Sequence, residues 1–151
     1  MSVREKLEKT MHEAMRNRDE LTRNTIRLVL AAIKQVEVDS RTKLDDAGML
    51  AVLQKEVKIR NETISELSGA NRADLVDKAS AELEILSKFL PAQLSDEDLI
   101  AIARKKMSEI SASTPADMGK VMKELLPLVK GQAQPDRVSR VVKDLLNGQL
   151  G

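Results

Sequence analysis

A chain of 151 residues has room for one domain or two small lobes, and not for a large multidomain enzyme. Its 25 Lys and Arg against 24 Asp and Glu leave a net charge of +1, which excludes both a wholly basic nucleic-acid tail and an acidic solvating tail. Cysteine is absent, so disulfides, thiolate metal sites and cysteine nucleophiles drop out and the redox compartment stays open, and with Phe89 as the sole aromatic the core must come from Leu, Ile, Val, Met and Ala.

Apolar residues recur at helical spacing nearly throughout, with no sustained alternation of the kind that marks strands, so the fold class is all-α. Helix starts are sought where a side-chain oxygen can satisfy an orphan amide and an acid follows three residues on. Five sites fit: Ser2 with Glu5, Thr42 with Asp45, Asn71 with Asp74, Ser95 with Asp98, and Thr114 with Asp117, the last reinforced by Pro115 at the first helical position. A first helix is predicted from about Val3 to Arg18, with Val3, Leu7, Met11 and Ala14 on one face. The second, from about Asp19 to Val38, has a broad apolar sector that takes in Leu21, Thr25, Ile26, Leu28, Val29, Ala32, Ile33 and Val36, and belongs at the centre of its lobe. The third and fourth run from about Asp45 to Leu67 and from about Arg72 to Phe89, parted by Ser68 to Asn71, where Gly69 suits a left-handed helix end.

Pro91 drives its predecessor out of helical geometry, and Ser95 then starts a new helix, so a lobe boundary is expected there. This gives an N-terminal lobe of about four helices over residues 1–90 and a C-terminal three-helix lobe over 95–151. The C-terminal helices are predicted from about Asp96 to Ile110, Pro115 to Val129 and Pro135 to Leu146, with Pro127 ending or kinking the middle one. Arg4, Glu5, Lys6, Glu8 and Lys9 suit neither a signal peptide nor a transit peptide, and no apolar run approaches the roughly 20 residues of a membrane span. A soluble cytoplasmic protein with no membrane partner is the expectation.

The census of catalytic groups is mostly negative. The lone His12 cannot form a His-based metal cluster and reads as a partly exposed helix residue. Asp45-Asp46 and Asp96-Glu97-Asp98 lie where acids favour a helix N-terminus, a simpler role than Mg²⁺ binding. No Gly-rich phosphate loop appears, and neither a metal nor a cofactor is expected. Glu56 and Arg60, however, interrupt the stripe of Met49, Leu53, Val57, Ile64 and Leu67, and Glu82 interrupts that of Leu75, Ala79, Leu83, Leu86 and Phe89. Charged groups on such faces must be paired, so a structural bridge from Arg60 to one or both acids is the first reading and a catalytic cleft the second.

Cations form the other signal. Arg23, Arg27 and Lys34 share a narrow arc of the second helix. From Met118 to Lys143, the six cations Lys120, Lys123, Lys130, Arg137, Arg140 and Lys143 face two acids, Glu124 and Asp136, a local excess of four positive charges. Helical spacing turns Lys120, Lys123, Arg137, Arg140 and Lys143 away from the apolar faces. Gly131, after Lys130, would let a backbone or a phosphate approach closely, and Gly119 inside a helix suggests close packing or a close partner. With no aromatics nearby, contact would be to phosphates and RNA shape.

Met118-Gly119-Lys120-Val121-Met122, then Val129-Lys130-Gly131-Gln132-Ala133-Gln134-Pro135 and the Val138 to Leu146 helix, resemble the tail of the B subunit of tRNA-dependent amidotransferase. Thr25-Ile26-Arg27, Glu56-Val57-Lys58-Ile59-Arg60, Asn71 to Val76 and Phe89 to Leu94 resemble the free-standing YqeY-like proteins, which share that tail domain. Ala133-Gln134-Pro135 departs from the acidic turn frequent in YqeY-like members and is closer to the amidotransferase tail. The resemblance implies two all-α lobes, and a tail that helps to hold tRNA during glutamine-dependent amidation, a carbon–nitrogen ligase reaction. It implies Gly119, Lys120, Lys130 and Gly131 as matching positions, and aminoacyl-tRNA or amidotransferase machinery as partners. Nothing resembles the catalytic body of that enzyme. The expected function is therefore a non-catalytic adaptor for tRNA or structured RNA, against two rivals: a protein-interaction module, and an enzyme using Glu56, Arg60 and Glu82.

Overall fold

The computed structural model describes residues 1–148, which form helices joined by turns and short irregular connections, without a strand. They divide into two compact units, Met1–Pro91 and Ala92–Gly151. No helix among them is long and apolar enough to cross a membrane.

The first unit contains α1 (Val3–Arg16), α2 (Glu20–Ser40), α3 (Asp46–Leu67) and α4 (Ala73–Ser87). The Ser2 hydroxyl accepts the Glu5 N–H at 3.1 Å and starts α1. Asp19, expected as the first helical residue of α2, is its cap instead, accepting from the Thr22 N–H at 3.1 Å and the Thr22 hydroxyl at 2.7 Å. Arg18 takes a left-handed φ of 57°, so α1 stops at Arg16, two residues before the expected end. Two expected caps are displaced. The Thr42 N–H donates to the Glu37 carbonyl and closes the turn after α2, which leaves the Asp45 carboxylate to cap α3 through the Gly48 N–H at 2.8 Å. Asn71 has a φ of 59°, incompatible with the extended backbone of a cap, so α4 begins after Arg72 without a side-chain cap bond. Gly69, at a φ of 89°, makes the left-handed step that ends α3.

Helix α2 touches α1, α3 and α4, and its Ile26, Val29 and Ile33 are fully buried with Leu7, Leu53 and Leu86. The apolar sector expected of α2 is nonetheless too broad. Leu28 is 57% exposed and Val36 40%, because three neighbours cover only the side of the helix centred on Val29. The Arg4 guanidinium meets Glu37 at 2.6 Å, and the same carboxylate accepts the Leu44 N–H at 2.8 Å, so the start of α1 is tied to the α2–α3 turn.

The second unit holds α5 (Asp96–Glu109), α6 (Met118–Leu125) and α7 (Pro135–Leu146). Ser95 caps α5 through the Asp98 N–H at 3.1 Å. The helix expected from Pro115 to Val129 is α-helical only over α6, with 3₁₀ turns at Pro115–Asp117 and Leu126–Val129. Pro127 lacks an N–H and crowds the carbonyl four residues back, which stops the α-helix at Leu125. At the other end the Asp117 carboxylate folds back to accept the N–H groups of Ser113 at 3.0 Å and Thr114 at 3.1 Å. The core is Leu99, Ala103, Val121, Leu125, Val129, Val138 and Val142. Gly131 is buried at a φ of 81°, and the Gln93 amide donates to its carbonyl at 2.9 Å.

Backbone N–H groups of Ser113 and Thr114 hold Asp117 below the usual carboxylate range; the Thr22 hydroxyl and N–H do so for Asp19, and the Leu44 N–H, then Arg4, for Glu37. A carboxyl with a lowered folded pKa favours the fold above its unfolded value, and that contribution is lost as pH falls through the folded one. Urea titrations should therefore give stability that declines on acidification below about pH 4. Asp117→Asn, which removes one such carboxyl, should be less stable at pH 7 and show a shallower acid decline; an unchanged pH profile would contradict the assignment.

Candidate nucleic-acid interface

Helices α6 and α7 bury Val121, Leu125, Val138, Val141, Val142 and Leu146, which leaves the opposite arcs to Lys120, Lys123, Arg140 and Lys143, all exposed. Lys130 is exposed in the turn that follows α6. Lys123, Lys130, Arg140 and Lys143 take part in no ion pair among the described residues.

The other members of the sequence-derived set have different work. The Arg137 Nε lies 3.0 Å from the Asp96 carboxylate and its Nη2 donates to the Leu94 carbonyl, so this half-buried side chain ties the first turn of α7 to the start of α5. The Lys120 Nζ donates to the Ile110 carbonyl at 3.0 Å, satisfying an acceptor left over at the end of α5. Gly131 is a turn former whose buried backbone is engaged by Gln93, which removes it from the surface. Gly119 is exposed, and a Cβ placed on it would meet nothing within 4 Å, so close packing inside this chain does not explain it. Gly119→Ala should therefore stabilise the protein by about 0.5–1 kcal/mol, the helix-propensity difference, read as a rise in thermal midpoint; a loss of stability would reveal a packing constraint there.

In the first unit, Arg27 and Lys34 are exposed on α2, while Arg23 is half-buried with its Nε on the Asn24 side-chain oxygen at 3.3 Å. The Arg60 side chain is 9% exposed. Its Nε meets the Glu82 carboxylate at 2.7 Å, and its Nη1 meets the Glu56 carboxylate at 3.3 Å and the Glu56 carbonyl at 3.1 Å. One guanidinium thus joins α3 to α4 and lies between two acids that would otherwise repel. The three residues sit in a cleft of about 360 Å³ beside Leu28, Ile59 and Leu75, which are 57%, 44% and 37% exposed. Sequence reasoning misses this apolar rim, because Leu28 falls inside a helical sector that only the packing shows to be half covered. His12 is exposed on α1, and the described residues contain no group of three or more His, Asp or Glu poised for a metal.

Residues 4–146 match the profile of a family described as "Yqey-like protein". Three fungal relatives are each named "Altered inheritance of mitochondria protein 41, mitochondrial". The one from Candida glabrata is 33% identical over 114 residues, covering 72% of this chain and 62% of that protein, so the chain spans about three fifths of its length. The Eremothecium gossypii relative is 33% identical over 131 residues (85% of this chain, 67% of that protein), and the Pyrenophora tritici-repentis relative 27% over 150 residues (95% and 81%). These names overturn the cytoplasmic location expected from the absence of leader-like features, since the relatives are named mitochondrial. With the family profile matched from the second residue of α1 to the last residue of α7, the chain belongs to the YqeY-like family.

Proposed function

We propose that this protein is a non-catalytic helical adaptor whose C-terminal unit holds tRNA or another structured RNA by its phosphates, alongside the machinery of glutamine-dependent tRNA amidation. The observation that carries the reading is the set of exposed Lys123, Lys130, Arg140 and Lys143 on and beside α6 and α7, free of ion pairs among the described residues. Ammonium and guanidinium groups of this kind bind a polyanion by displacing its condensed counterions, and they need no aromatic platform to do so. The likeness of Met118 to Met122 and of Val129 to Pro135 to the amidotransferase tail supplies the RNA class. Lys120 and Arg137 enter as supports: each is already bonded within the unit and holds the neighbouring helices in register. The test is retention of unmodified tRNA by the full chain in a filter-binding titration at low salt. Saturable retention supports the adaptor, and none at all refutes it.

A further inference from the structure

Beside these cations the C-terminal unit has a hollow of about 260 Å³, lined among the described residues by Pro115, Met118, Lys143, Leu146 and Asn147. Its walls combine three apolar side chains, one ammonium and one carboxamide. That combination suits a flat ring with a hydrogen-bonding edge, attached to an anion. Apolar side chains sandwich the faces of such a ring, the polarisable Met118 sulfur is well matched to a π system, and an amide donates to and accepts from its edge. At about 260 Å³ the hollow falls below the roughly 300–1,000 Å³ of pockets that take whole drug-sized ligands, so one ring system would enter while the rest of the molecule stays outside, near Lys143.

Gly119 leaves a further open place on the same helix. It follows Met118 in α6, is exposed, and has open space where a side chain would stand. The helix forgoes alanine's better propensity without gaining any packing of its own.

We infer that this hollow receives one unpaired base of the bound RNA, with Asn147 on the base edge and Lys143 on the adjoining phosphate. The inference rests on the adaptor reading and adds to it a single-stranded element: phosphate contacts set the position on the RNA, and the hollow selects a molecule with an unstacked nucleotide. Both polar residues are exposed, and the end of α7 is capped by the Asn147 backbone N–H rather than by its side chain, so substitutions at these two positions leave the fold in place.

The experiment compares two RNA hairpins of identical stem, one blunt and one with a single unpaired 3′ adenosine, titrated by fluorescence anisotropy against the full chain. The wild type should bind the overhang hairpin about tenfold more tightly, equivalent to about 1.4 kcal/mol. Asn147→Ala should erase most of that preference without altering the salt dependence, and Lys143→Gln should weaken binding and reduce the slope against salt by about 0.7, one phosphate on a single strand. Equal binding of the two hairpins by the wild type, or a preference that survives Asn147→Ala, overturns the base pocket while phosphate binding by the tail stands. Binding of neither hairpin while tRNA is retained in the filter-binding titration overturns the base pocket alone; if tRNA is not retained either, the adaptor reading falls with it.

Discussion

Replacing Arg60 with Met should destabilise the N-terminal unit by about 3–5 kcal/mol, the cost of leaving buried charges without their partner. The side chains of Glu56 and Glu82 are only 16% and 12% exposed, and Arg60 is the cation between them. Without it, two carboxylates face each other across the α3–α4 contact and must be hydrated or protonated there. The loss corresponds to roughly two to nearly four powers of ten in the folding equilibrium, and a domain has only about 5–15 kcal/mol in hand. Hydrogen exchange of the amides of α3 and α4 is the suitable measurement, because two units need not unfold in one step. The companion variant replaces Glu56, Arg60 and Glu82 together by Met. Removing all three charges restores a plain apolar contact, so it should recover most of the loss. An Arg60→Met protein as stable as the wild type would contradict the bridge and return these residues to the reading in which they serve a cleft.

The second large effect is electrostatic. If Lys123, Lys130 and Arg140 each neutralise one phosphate on duplex-like RNA and Lys143 one on a single strand, the slope of log affinity against log salt is about −3.4, and affinity falls about a hundredfold between 50 and 200 mM salt. Substituting all four by Gln should flatten that slope almost completely while the far-ultraviolet spectrum stays helical, since these side chains are exposed and hold no other element. Arg137→Gln is the contrasting variant. It releases Asp96 and the Leu94 carbonyl, so it should lower the stability of the C-terminal unit and leave the salt slope nearly intact. A slope unchanged in the fourfold variant, or one that collapses in Arg137→Gln alone, would place the RNA elsewhere.

Helix α7 is legible residue by residue in the sequence, from Pro135 to Leu146, because proline at its first position and Val138, Val141, Val142 and Leu146 on one face are local rules that no neighbour overrides. Ser2 and Ser95 are legible as caps for the same reason. Glu56, Arg60 and Glu82 stand out as charges on apolar stripes, and charges so placed have to find one another. Thr42 and Asn71 fit the same cap pattern and are passed over. A cap competes with the turn before it, and the turn closed by Glu37 and the left-handed step at Asn71 are set by how the chain reaches the next helix.

What the linear chain determined by itself is therefore the all-helical class, the order of the helices, the breaks at Gly69 and Pro127, and the inventory of cations, since each depends on residues within a turn or two of one another. Tertiary structure alone decided which of those cations remain available. Arg137 is spent on Asp96, 41 residues away, and Lys120 on a carbonyl ten residues back, while Leu28 is left in the open and Gly119 faces empty space. Periodicity says which way a side chain leaves its helix; what it meets there depends on which element has been packed alongside.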